Sequence, residues 1–318
     1  MKSGKVSETV LKRSVLKYIT AKRNDVISGS GIARDGCVIK IPKNENAVFA
    51  GNPTVLDREE SVLLSFHSAL NNLAAAGGKP IGININLILP VLTEEIEIKK
   101  IIGTYDKLCS IYNIQIIGGH TELSEVVNKP IAIVMAAGSI CSNNILDIKN
   151  IKPGNDIVMT KYAGLEGTYR LYIENQEYLK NRFSGSFLFK FENIKDELSV
   201  LKEAAISMEH GAVAMHDVRE GGIFKGLWEI GSGSGLGVEV EFKEIQVKQE
   251  TIELTEVLDR NPYKILAGGT LLVITEDGDG LVDKLKNNSI NATIIGKVTN
   301  TRERVLVTDE GKRYLESN

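Results

Sequence analysis

The reading of this chain turns on Ala214-Met215-His216-Asp217-Val218-Arg219-Glu220-Gly221-Gly222-Ile223. Four charged or ionisable side chains, His216, Asp217, Arg219 and Glu220, converge there on Gly221-Gly222, which opens a helix expected from Gly222 to Ile230. The start of a helix leaves backbone N–H groups unpaired, so an anion placed there meets free amides and the Arg219 guanidinium together. A turn with a purely structural role has little use for that density of charge. The segment is therefore assigned to function.

Three upstream segments carry related signals. Ser28-Gly29-Ser30-Gly31-Ile32-Ala33-Arg34-Asp35-Gly36 lies between a helix and a strand; its glycines let backbone amides turn toward an anion, and Asp35 is placed to hold an accompanying magnesium ion. No Gly-Lys-Ser/Thr follows, so it is not a P-loop, and it lacks the strand-before, helix-after setting of a Rossmann turn. An ordinary flexible loop explains it equally well. Leu70-Asn71-Asn72-Leu73-Ala74-Ala75-Ala76-Gly77-Gly78-Lys79-Pro80 puts two amides on a helix followed by small residues. That pattern serves either close packing or contact of Asn71 and Asn72 with a phosphate, a metal-bound water or a carbonyl. Ile116-Ile117-Gly118-Gly119-His120-Thr121-Glu122 reads as a buried strand emptying into glycines and then polar side chains, a place where function often sits.

Around these segments, periodicity predicts an amphipathic helix over Val6–Tyr18, strands at Cys37–Ile41 and Ala47–Ala50, and a helix over Glu59–Ala76. A strand at Ile81–Leu89, a helix over Glu94–Tyr112 and strands at Ile114–Ile117 and Pro130–Gly138 follow. Helices between strands make this an α/β or α+β domain. The turn-rich stretch from Asn143-Asn144 to Lys152-Pro153-Gly154-Asn155 marks the boundary, giving domains 1–152 and 153–318. Past it come a strand at Asp156–Thr160, a polar and partly aromatic region over Tyr162–Phe191, a helix over Lys195–Glu209, and strands at Thr270–Thr275 and Ala292–Gly296.

Two domains also suit the length, 318 residues against about 150 per domain. Acidic and basic residues nearly balance at 41 and 38, which supplies no excess positive field for nucleic acid or an anionic membrane and points to a small-molecule or protein partner. Met1–Ile19 lacks the unbroken apolar run of a signal peptide or membrane span, so a cytoplasmic protein is expected. Cys37, Cys109 and Cys141 show no CxxC spacing and read as free thiols.

The four segments, in this order and at these separations, resemble those of the superfamily of ATP-using enzymes typified by aminoimidazole ribonucleotide (AIR) synthetase and the hydrogenase-maturation protein HypE. Ser28–Ile39 is similar to its GxGxxD segment and Leu70–Pro80 to its Asn-Asp-hydrophobic-Ala-x-x-Gly-Ala-x-Pro segment. Gly118–Glu122 is similar to its Gly-Gly-Asp/His-Thr-Glu turn and His216–Gly222 to its His-Asp-x-Thr-Glu-Gly-Gly turn. Lys161–Thr168 and Gly268-Gly269-Thr270-Leu271 also match, so the likeness spans nearly the whole chain. It implies a two-domain PurM-like fold: an N-terminal sheet-plus-helices domain that dimerises into a β-barrel and a C-terminal α+β domain. It implies ATP and Mg2+, with Gly29, Gly31, Asp35, Asn71, Asn72, Gly118, Gly119, Thr121, Gly221 and Gly222 toward the nucleotide. Asp35, Asn52, Asn72, His120 and Glu122 would surround metal and phosphates, while His216, Asp217, Arg219 and Glu220 face the reacting group of a small-molecule or protein-borne substrate.

The departures are chemical. Phe49-Ala50-Gly51-Asn52-Pro53 stands where the family has Ser/Thr-Thr-Asp-Pro, Asn72 replaces the aspartate of the Asn-Asp pair, and His120 stands where many members carry a third aspartate. Each loss of a carboxylate weakens a site for a divalent cation. Arg219 replaces a threonine and adds a cation that can contact phosphate. No cysteine lies beyond Cys141, so HypE's own cyanide chemistry, which uses a C-terminal cysteine, is not expected. Two readings follow: an ATP-dependent enzyme acting on a carbonyl, a carboxamide or a phosphoryl acceptor, and a degenerate homologue that binds nucleotide or a partner without turnover.

Overall fold

The apolar runs Lys79–Pro90 and Ile131–Cys141 form the middle of a five-stranded sheet in the computed structural model, which describes residues 3–34 and 36–316. The chain divides into two units, Met1–Leu73 with Gly78–Asn143, and Ala74–Gly77 with Asn144–Asn318. In the first, the strands lie in the order Gly4–Lys5, Gln115–Ser124, Lys79–Pro90, Ile131–Cys141, Glu45–Val55. Only the 79–90 and 115–124 neighbours are parallel. A parallel pair needs a crossover, and the Glu95–Ile111 helix supplies it, its start fixed by the Glu97 carboxylate accepting from the Glu94 N–H at 2.7 Å.

Strand alternation gives this sheet two unlike faces. Ile83, Ile85, Leu87 and Leu89 are buried on one, where Asn52 donates to Ser68 Oγ of the Ser61–Ala75 helix at 2.8 Å. Asn84 and Asn86 belong to the other, in register with Met135 and Ile133, and there Phe49, Val55 and Met135 are 62, 48 and 42 % exposed.

Two expectations in this unit are corrected. Gly118–Glu122 does not leave the strand as a loop but continues it to Ser124. Ile117 is an extra residue between the Ile83–Ile116 and Asn84–Gly118 pairs, and the ladder resumes beyond this bulge. Gly119 makes that possible: its φ is +151°, and a Cβ there would lie 2.0 Å from the Ile85 carbonyl oxygen. The Val6–Tyr18 helix is three short pieces, α over Glu8–Val10, π over Leu11–Val15 and 3₁₀ over Leu16–Tyr18. Val10 and Val15 are both buried, and their separation of five residues matches the i→i+5 winding of the π turn.

In the second unit a seven-stranded sheet runs Gly311–Tyr314, Arg304–Thr308, Gly237–Glu241, Ala292–Thr299, Asp156–Thr160, Thr270–Thr275, Ala214–Val218. Its central strands Asp156–Thr160 and Thr270–Thr275 are buried on both faces and read as nearly continuous apolar runs, whereas the edge strand Gly311–Tyr314 is exposed throughout. Ile157 and Met159 enter one core cluster with Leu227 and Ile230 of the Gly222–Ser234 helix, while Val158, between them, enters the other with Leu281 and Leu285. The Tyr162–Phe191 region, left without elements by its sequence, folds into helices Leu165–Glu174, Gln176–Lys180 and Gly185–Asn193. Stacked and edge-on contacts among Tyr172, Phe183, Phe187 and Phe191 hold them together. No helix among the described residues is long and apolar enough to cross a membrane.

Candidate functional site

In the first unit, Ser30–Arg34, Asn84, Asn86 and Gly118–Thr121 line one cavity of about 530 Å³, whose apolar wall includes Val6, Leu11, Leu16 and Ile116. Ser30 Oγ donates to the Ile116 carbonyl at 3.2 Å, and this bond ties the glycine-rich loop to the strand. The structure thus brings Gly31, Gly118, Gly119, His120 and Thr121 together, with Gly29 beside them, its carbonyl accepting from Arg34 Nη1 at 3.3 Å. Asn84 and Asn86, linked by a 3.2 Å amide hydrogen bond, belong to the same polar set. Sequence reasoning missed them. Their signal was the alternation of Asn with Ile along Ile83–Leu87.

Other expected members stand apart. Asn52 pairs through Val134 and Ile85 with Gly119, and so lies on the helix-covered face, while Asn86 and His120 share the open one. Asn71 is buried in the Ser61–Ala75 helix, and Asn72 lies one turn beyond Ser68, on the side that meets Asn52. His120 Nε2 and Glu122 Oε2 approach to 3.1 Å, with side chains 43 and 40 % exposed. Asp35 lies outside the described residues. Of the set expected around magnesium, Asp35, Asn52, Asn72, His120 and Glu122, the four described members are therefore not assembled in one place. Among the described residues no three His, Cys, Asp or Glu side chains cluster to hold a metal ion. Among the described members of the set Glu122 is the one carboxylate, and an imidazole and amides beside it are a poor match to the oxygen-rich shell that magnesium requires.

In the second unit His216 and Asp217 are neighbours on the Ala214–Val218 strand and so point to opposite faces. The four ionisable side chains do not converge, which corrects the expectation. His216 Nε2 meets Glu229 Oε2 of the following helix at 2.8 Å, and that hydrogen bond holds the Glu229 carboxyl below its ordinary pKa. Asp217 is buried on the other side and neither carboxylate oxygen has a hydrogen-bond partner. Burial first, and then the charge of Glu166, pushes its pKa up to about 8 against the pull of Arg219 and Lys161. Near neutral pH it is a protonated, buried acid.

Arg219 turns inward. Its Nε and Nη2 donate to both oxygens of Glu166 at 3.0–3.2 Å, and the Glu166 side chain is only 5 % exposed. Glu220, 72 % exposed, comes no nearer to Arg219 than 3.8 Å. A second buried pair, Lys161 Nζ to Glu203 Oε1 at 2.5 Å, has Lys161 also donating to the Ser199 carbonyl at 2.6 Å. Gly221 and Gly222 both have positive φ, and a Cβ at Gly222 would lie 2.3 Å from the Tyr263 carbonyl, so the entry to the Gly222–Ser234 helix admits no side chain. Glu166 and Lys161 were not among the expected site residues, although both lie in the Lys161–Thr168 segment. Their signal was a glutamate set between glycines in Gly164-Leu165-Glu166-Gly167.

Family models match both parts of the chain: AIR synthase related protein, N-terminal domain, over residues 33–140, and AIR synthase related protein, C-terminal domain, over 152–309. The chain is 24 % identical to a putative hydrogenase expression/formation protein of Methanocaldococcus jannaschii, across 98 % of this chain and 94 % of that one. It is 27 % identical to a thiamine-monophosphate kinase of Pyrococcus horikoshii, across 72 and 68 %. Its fold superposes on hydrogenase maturation protein HypE, solved in complex with ATP, with a TM-score of 0.81 at 17 % identity, covering 98 % of this chain and 95 % of that one.

Proposed function

The chain belongs to the AIR synthase related family, with a two-domain PurM-like fold, and from that premise we propose that it is a HypE-like, ATP-dependent enzyme. It activates a carbonyl or carboxamide by phosphorylation, or phosphorylates a small or protein-borne acceptor. The observation that supports this most is the cavity shared by the Ser30–Arg34 loop and Gly118–Thr121, where glycine amides and Arg34 present donors to a polyphosphate. His120 adds a side-chain donor there. In the second unit Asp217, carrying its proton near neutral pH, serves as the acid for a leaving oxygen, and Arg219, aligned by Glu166, faces developing negative charge. Gly221 and Gly222 open a helix whose first amides suit an anion. Any magnesium arrives with the nucleotide phosphates, and no step above depends on it.

The domains are taken as 1–152 and 153–318, and the functional molecule as a cytoplasmic homodimer. Phe49, Val55 and Met135 support the dimer, since a sheet face with three such exposed apolar side chains is a surface that association would cover. A second reading, nucleotide binding without turnover, draws on Asn52 and Asn72, amides where the family carries aspartates, and on the engagement of the Asn52 amide by Ser68.

One experiment separates the two. ATP is titrated into the purified chain with and without magnesium, with heat and phosphate release both followed over a panel of carboxamide, carboxylate and alcohol acceptors; light scattering on the same samples reports the oligomer. Micromolar binding with acceptor-dependent release is expected, from a dimer. Binding with no release on any acceptor supports the second reading, and absence of nucleotide binding sinks both.

A further inference from the structure

The second unit holds a cavity of about 740 Å³ that the acid and the buried ion pairs described above do not line. Its volume is that of a small-molecule site. Its walls have two chemistries. Phe224 and Tyr263 stack at 5.2 Å with an interplanar angle of 9°, and Phe242 leans on Tyr263 at 4.9 Å, so half-buried π-faces make one side. Lys225, Arg260, Lys264 and Arg313 line it against only two acids, Asp259 and Glu316. Lys264 is neutralised by Glu316 at 2.9 Å and Arg313 is paired with Glu310, whereas the exposed Arg260 has no ion-pair partner among the described residues. The cavity thus combines aromatic faces with a net positive charge, Lys225 and Arg260 remaining against the single carboxylate of Asp259 once the two ion pairs are set aside.

We propose that this cavity binds a planar aromatic anion, stacking its ring beside Tyr263 and Phe224 and its anionic group on Arg260 and Lys225. Aromatic stacking selects the ring, and the two cations reject its neutral or cationic analogues. The assignment of this ligand as the acceptor rests on the functional reading above. Its binding does not.

The test uses the full chain with 2-naphthyl phosphate, read by its own fluorescence and by calorimetry in saturating ATP. Inorganic phosphate and 2-naphthol serve as the half-ligands. The expected result is saturable binding of 2-naphthyl phosphate, with each half-ligand at least about tenfold weaker. Arg260→Ala, at an exposed position, should weaken 2-naphthyl phosphate about tenfold and leave 2-naphthol unchanged, and Tyr263→Leu should weaken both aromatic probes. No binding, competition by ATP, or equal affinity in the parent and both variants overturns the proposal. A chain that binds 2-naphthyl phosphate and not ATP keeps this site and loses the ATP-dependent function; one that binds ATP and not the probe does the reverse.

Discussion

The two units use polar residues in opposite ways. On the open sheet face of the first, His120 and Glu122 meet at 3.1 Å with about two-fifths of each side chain exposed, and their neighbours are amides and glycines. In the second, Glu166 and Arg219 form three hydrogen bonds with little exposure, beside an Asp217 that has no hydrogen-bond partner. The first arrangement is cheap to alter because water replaces what is removed. The second is coupled to folding, because removing either partner leaves a charge in a low-dielectric interior. One surface can change with little consequence for the fold, and the other cannot.

The sharpest way to break this contrast is Arg219→Ala, which leaves the Glu166 carboxylate buried without its partner. A loss of about 3–5 kcal/mol in stability is expected. Glu220→Ala, one residue on and 72 % exposed, should cost no more than about 0.5 kcal/mol. Urea denaturation of the two variants measures both. The double replacement Arg219→Met with Glu166→Leu should recover most of the loss, since no unpaired charge remains. Equal destabilisation by Arg219→Ala and Glu220→Ala would show that burial does not separate the two glutamates.

The sequence carried the helices at Glu59–Ala76 and Glu94–Tyr112 to within two residues at each end, because their apolar spacing and their Gly and Glu termini are local signals. It carried the glycine pairs for the same reason. What it could not carry was direction. Period-two alternation puts His216 and Asp217 on opposite faces, but only if 214–218 is a strand, and that depends on pairing with Thr270–Thr275, more than fifty residues away. The strand from Gln115 to Ser124 hid similarly: Gly118-Gly119 reads as a loop until the Ile85 carbonyl is placed against it. Arg219 was expected to face an anion at the glycine turn together with Glu220. Its partner is Glu166, across 53 residues of chain.

A smaller effect, and one that carries a sign, comes from Asp217. Its native pKa of about 8 lies above the ordinary 3.8, so between these values the native state holds a proton that the unfolded state has released. Stability must then fall as pH rises through that window, and the loss is complete above pH 8. Asp217→Asn removes the titrating group while keeping its shape. Relative to the parent, the variant should gain about 3 kcal/mol between pH 5.5 and 8.5. Acceptor-dependent phosphate release should be lost at both pH values, if Asp217 is the acid. Parallel pH dependence in the two proteins would mean that Asp217 is ionised in the native state.

The smallest expected change in stability lies on the open face, and it tests the other half of the contrast. His120→Ala removes a side chain that is 43 % exposed and whose one ion-pair contact among the described residues, Glu122, is itself 40 % exposed. Solvation replaces that contact, so denaturation midpoints should move by no more than about 0.5 kcal/mol equivalent. Nucleotide affinity should respond differently, because a donor lining the 530 Å³ cavity is lost from the place proposed for the phosphates. A weakening of about tenfold in ATP binding is the expectation, with the effect reduced as salt screens the anion. The dissociation of the two readouts is the point: stability unchanged and affinity reduced identifies a surface kept for a ligand. If both fall together, His120 is part of the fold after all, and the open face belongs with the buried cluster.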